Sequence, residues 1–189
     1  YGSAPDMGFW EFPPATGVQV DASSEAISAY GSSLPWSHTI AGTNRLLLVS
    51  VSYRTNSGVT VTGVTFNTVA LTKIPDSPLT SGTLRQYFWY LIVPDTLAHD
   101  IVVSLSGSVN AVAGAISFTA VHQTLPFGSY ASAVGSGTSA SVTLTLEGFV
   151  DGMVADGVAT SQTTLTPGSG QSFGWEDSEY NASGIDING

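Results

Sequence analysis

A chain of 189 residues with 42% hydrophobic content fits one domain with a real core, or one domain with an arm. Only 10% of its residues are charged, against roughly 25% in ordinary soluble domains, and the net charge is −10. That balance disfavours a nucleic-acid backbone and anionic membranes as partners, no apolar run reaches the ~18 residues of a membrane span, and the lack of cysteine excludes disulfides and thiolate chemistry.

In chain order, residues 1–15 come first, with Tyr1, Met7, Phe9, Trp10 and Phe12 closed by Pro13 and Pro14. Paired prolines favour extended backbone, so this segment reads as an aromatic arm. Leu47, Val49, Val51 and Tyr53 then share one face of a strand, with Leu46, Leu48, Ser50 and Ser52 on the other. Residues 64–71 read as a hairpin turning at Asn67 and Thr68. Tyr87, Trp89 and Leu91 alternate with Phe88, Tyr90 and Ile92, which predicts a central strand apolar on both faces. Ile101, Val103 and Leu105 form another strand. In the next, Val112, Gly114, Ile116 and Phe118 alternate with small residues that suit the close approach of another layer. Val142, Leu144 and Leu146 alternate with threonines, and residues 149–159 make one more strand. Residues 176–189 are polar and acidic and read as a tail.

Roughly nine to eleven strands, punctuated by Pro, Gly and Asn turns, predict an all-β, two-sheet antiparallel β-sandwich, jelly-roll-like by count. The expected organisation is an arm at 1–15, the sandwich at 16–175 and a tail at 176–189. The chain shows no basic segment leading into an apolar core. The expectation is therefore a processed secreted protein or a virion component, at an extracellular or cell or virion surface.

Residues 36–40 (WSHTI), 44–51 (NRLLLVSV), 61–66 (VTGVTF) with 69–72 (VALT), 88–91 (FWYL), 111–118 (AVAGAISF), 151–156 (DGMVAD) and 166–171 (TPGSGQ) carry a resemblance. Over residues 16–175 the chain resembles an uncharacterised β-sandwich domain of predicted secreted, often multidomain, microbial proteins. The resemblance implies a sandwich and no catalytic residues. It also implies a further apolar strand after residue 175, where this chain turns polar. The arm is expected to fill that gap, in its own subunit or in a neighbour's.

Candidate chemistry is sparse. Residues 170–174 (GQSFG) match the nucleophile-elbow pattern around Ser172, but no helix is predicted to follow and all three histidines precede it. His38, His99 and His122 lack metal-ligand spacing and read as surface or turn residues. Carboxylates gather late, with Asp151 and Asp156 ahead of Glu176, Asp177, Glu179 and Asp186. The last four are the candidate ligands of a calcium ion, the sole cofactor weighed against none. A pair of these acids serving glycoside hydrolysis is the enzymatic alternative, and it ranks below a non-enzymatic role. Tyr30, Trp36, Trp175 and Tyr180 are candidate platforms for stacking on sugar rings. Asn181 opens a glycosylation triplet.

The arm is the most informative segment. Met7, Phe9, Trp10 and Phe12 could enter pockets along an open sheet edge, each fully buried large side chain contributing roughly 1.5–3 kcal/mol. The expected function is a non-catalytic structural subunit of an extracellular or virion-surface assembly, a homo-oligomer or filament joined by strand exchange. The alternative is a carbohydrate-binding or adhesive module with glycan partners. Neither nucleic acid nor membrane insertion is expected.

Overall fold

A computed structural model describes residues 17–135, 141–144, 152–160, 166–177 and 182–188. These contain strands β1 (Gln19–Ile40), β2 (Leu46–Arg54), β3 (Val61–Phe66), β4 (Val69–Ala70), β5 (Thr72–Lys73), β6 (Leu79–Ser81), β7 (Leu84–Ile92), β8 (Leu97–Thr119), β9 (Val154–Ala159), β10 (Ser172–Phe173), β11 (Glu176–Asp177) and β12 (Ala182–Asn188). The fold is all-β, with no helix among the described residues.

Two very long strands organise it. β1 spans 22 residues and β8 spans 23, and they pair antiparallel from Gln19–Thr119 to Ile40–Leu97. The other edge of β8 is shared: β3 pairs with residues 101–105 and β2 with residues 111–118. β7 continues from β2, and β5 and β6 continue from β7. Leu71 alone separates β4 from β5, and its N–H donates to Val64 O at 2.8 Å while Ile74 N–H donates to Phe88 O at 2.9 Å. The chain thus steps from one end of the sheet to the other, and the eight-stranded sheet nearly closes on itself.

The expected hairpin forms between β3 and β4, with Asn67 and Thr68 both at positive φ (46° and 66°). That backbone matches the twist of the flanking strands, which is why an Asn-led turn sits there. β7 is internal, as its two apolar faces require, with β2 on one side and β5 and β6 on the other. Leu47, Val49, Val51, Tyr53, Tyr87, Trp89, Ile101, Val103, Ala111, Ala113 and Ala115 fill the inner core. Leu46, Leu48, Val112, Ile116, Phe118 and Trp175 form a second cluster on the opposite face of β2 and β8.

That opposite face is covered by a four-stranded sheet in which β12 pairs with β9, β10 and β11. Here the expectation for residues 176–189 is corrected: the segment read as a tail carries β11 and β12. Its small residues and the Ile185–Ile187 alternation are enough for pairing with β9, since neighbouring strands supply what its own composition lacks. The strand expected around residues 142–146 is not formed at residues 141–144, and residues 145–151 fall outside the described ones.

Candidate functional site

β1 is the longest edge strand of the eight-stranded sheet, whose other edges are the short β4, β5 and β6. Among the described residues it pairs with β8 alone, so its other side faces no second strand there. Register shifts fall between Val20 and Ala22, between Ser28 and Gly31, and between Gly31 and Ser33. They divide the edge into two regular stretches, residues 22–28 and 33–40. The second contains Pro35, which has no N–H to offer and is tolerated in a sheet at an edge. The first contains no proline, so residues 22–28 form the stretch able to receive another strand.

The apolar pattern points the same way. Val20 pairs with Phe118 and Ile27 with Val112, and both partners are buried in the outer cluster. Val20 and Ile27 themselves remain 42% and 45% exposed. The apolar surface of the sheet therefore runs to this edge and stops half-covered.

Behind the edge, the two stretches of β1 are tied together. Ser24 Oγ shares a 2.7 Å hydrogen bond with His38 Nδ1 and accepts one from Trp36 Nε1 at 2.9 Å. Asp21 Oδ2 accepts from Ser117 Oγ at 2.8 Å and from the Ala41 N–H at 2.9 Å, joining the start of the strand to the residue after its end. His38 is 2% exposed, and burial lowers its pKa to about 4, with the nearby Asp21 carboxylate opposing the shift. The imidazole is neutral at physiological pH.

A serine bonded to a neutral histidine is the first half of a nucleophile–base pair. The rest is missing from the geometry. Ser24 Oγ already takes the Trp36 N–H, the Asp21 carboxylate is committed to Ser117 and Ala41, and His38 Nε2 has no hydrogen-bond partner to orient it. The arrangement ties two strand segments together without completing a triad.

This network escaped the sequence reading, which placed the histidines on the surface or in turns. The usable signal was the alternation of Leu34, Trp36, His38 and Ile40, which puts His38 on an apolar face. Ser24 and Asp21 carried no signal, because only the bend of β1 brings residues 14 positions apart into contact.

The other candidate residues scatter. Met7, Phe9, Trp10 and Phe12 of the arm lie outside the described residues, as do Glu179, Tyr180, Asn181 and Asp151. Trp36 is partly buried in the inner core, and Trp175 is 5% exposed with its indole lying over Gly114, so it offers no ring to a sugar. Tyr30 is the exception at 70% exposed, at the corner between the two stretches of β1. Glu176 and Asp177 form β11, while Asp186 pairs with Asp156 and Phe173 inside the second sheet. Asp186, a candidate calcium ligand, therefore stands in a strand. Among the described residues no group of three His, Asp or Glu is placed to hold a metal ion. Ser172 starts the short strand β10, not a strand-to-helix turn.

Compared with known proteins, the chain matches no family model, no curated protein and no solved structure.

Proposed function

We propose that this chain is a non-catalytic structural subunit of an extracellular or virion-surface assembly, in which the arm of one copy adds as a strand to β1 of the next. The observation that carries the reading is the proline-free stretch at residues 22–28, which has β8 as its sole strand partner among the described residues, contains half-covered Ile27 and follows half-covered Val20. Its seven residues match the six of the arm's alternating segment, Met7 to Phe12. Main-chain hydrogen bonds would supply register-independent attraction, and the alternate aromatic side chains would continue the outer apolar surface. Because donor and acceptor are different surfaces of one chain, the contact is head-to-tail and builds a filament unless it closes into a ring. The finer fold reading, a jelly-roll-like sandwich of the kind found in secreted microbial proteins, belongs to the same proposal.

The test compares the full chain with a variant lacking residues 1–14 and with Ile27→Lys, which sets a charge on the edge strand. Sedimentation and electron microscopy should show oligomers or fibres for the full chain and monomers for both variants. A full chain that stays monomeric at high concentration, or a truncated one that assembles equally well, would overturn the reading.

A further inference from the structure

At the corner of β1, Tyr30 holds a left-handed backbone, φ 57°, within the register shift between Ser28 and Gly31. For a bulky residue that conformation stores strain on the order of 1–3 kcal/mol, which persists only where the surroundings impose it. The ring gains little packing in return, since it is 70% exposed. It borders a recess of about 360 Å³ that also takes in Arg54 at the end of β2, Asn56 and Ser57 after it, and Ser108 and Asn110 of β8.

Thr55 and Ser57 bond to each other at the recess, and other polar side chains lining it are available. Arg54, Asn56, Ser108 and Asn110 make no side-chain hydrogen bond or ion pair among the described residues. The other two arginines are occupied. Arg45 donates from Nε to Pro94 O at 2.7 Å and from Nη1 to Gly42 O at 2.9 Å, and Arg85 donates from Nη1 to Gly82 O at 2.8 Å and to Leu84 O at 2.9 Å. In a chain with 14 acidic and four basic side chains, Arg54 is thus the one arginine whose side chain is without a partner among the described residues, and it lines the same recess as the exposed Tyr30 ring.

We propose that the recess binds a saccharide end carrying one carboxylate, such as a terminal uronic acid. The sugar ring stacks on Tyr30, the carboxylate meets Arg54, and the amides of Asn56 and Asn110 take the hydroxyls. A guanidinium fits a carboxylate through two parallel N–H donors, and a Tyr face suits the apolar side of a sugar. The volume lies at the small end of ligand sites, which run from about 300 to 1,000 Å³. The net charge of −10 repels a polyanion, so one carboxylate is favoured over many. The site is independent of strand exchange, since neither Tyr30 nor Arg54 lies in residues 22–28.

The experiment is calorimetric titration of the full chain with disaccharides ending in glucuronic, galacturonic or mannuronic acid, with their neutral counterparts, and with heparin fragments. At least one uronate should bind, about tenfold more tightly than its neutral counterpart. Arg54→Gln should erase that preference, and Tyr30→Ala should weaken acidic and neutral sugars alike by about tenfold or more. Thermal melting and assembly state should be unchanged in both variants. No binding by any disaccharide, tighter binding of heparin than of the uronates, or a preference that survives Arg54→Gln would overturn the proposal.

Discussion

The two faces of β2 and its neighbours are both buried, yet they are built differently. On the inner face Leu47, Val49, Val51 and Tyr53 meet Tyr87, Trp89, Ala111, Ala113 and Ala115. The polar tip of Tyr53 is satisfied there, donating to Val59 O at 2.9 Å and lying 3.3 Å from Tyr87 Oη, while Trp89 Nε1 and His38 Nε2 are buried without a hydrogen-bond partner. On the outer face Leu46 and Leu48 give way along the strand to Ser50 and Ser52, opposite Gln86 and Gly114. Ser50 Oγ, Ser52 Oγ, Gln86 Nε2 and Trp175 Nε1 are buried there without a hydrogen-bond partner. Closure depends on two glycines: a Cβ at Gly114 would fall within the Trp175 indole, and one at Gly157 would strike the Phe88 ring. The inner face is held by apolar volume. The outer face is held by close approach at a few points, over polar atoms that lose water and gain little. The second sheet should therefore be the weaker attachment.

Leu47→Ala should give the largest effect, a loss of about 2–5 kcal/mol in denaturant unfolding, because Leu47 is fully buried among apolar neighbours. A loss below 1 kcal/mol would put the inner core on a par with the outer face. The ionisable member of the inner core comes next. His38 titrates near 4 when folded, against an ordinary value of 6.5, so the unfolded chain binds more protons between those limits. Stability should be full above pH 6.5 and fall by roughly 3 kcal/mol towards pH 4. The difference between the native chain and His38→Gln across that window isolates the histidine, and parallel curves would contradict its burial as a neutral ring.

Gly114→Val should cost about 1–3 kcal/mol by expelling Trp175. If the two faces are as unequal as their construction suggests, proteolysis of the β9–β12 region should rise before the eight-stranded sheet unfolds. Global unfolding with no prior cleavage would show the sheets to be one cooperative unit. The smallest effect expected is a gain: Ser50→Ala removes an unpartnered hydroxyl from a fully buried site and should stabilise by about 1 kcal/mol. A loss of similar size would mean that the hydroxyl is satisfied in solution.

Much of the first sheet was legible beforehand because its signals are local. Alternation over Leu46 to Tyr53, two apolar faces over Tyr87 to Ile92, and Asn67 at a turn each need only a few neighbouring residues to be read. The small residues Ala111, Ala113, Ala115 and Ser117 suggested the close approach of another layer, whereas the tightest contact falls on the other face, where Trp175 lies over Gly114. The glycan candidates show the limit. Tyr30 and Trp175 are both aromatic residues in loop-like sequence, yet one is exposed at a bend and the other buried under a second sheet.

The sequence by itself determined an all-β chain, the faces of its regular strands, and a surface poor in positive charge, since period-two patterning and composition are properties of the chain alone. Tertiary structure decided the rest. It joined residues 19–40 and 97–119 into two continuous long strands, left β1 with β8 as its sole strand partner among the described residues, and turned the polar C-terminal residues into the sheet over Gly114. It also brought Ser24 to His38 and Tyr30 to Arg54. These outcomes depend on which strands lie side by side, and pairing between residues far apart leaves no mark in either segment.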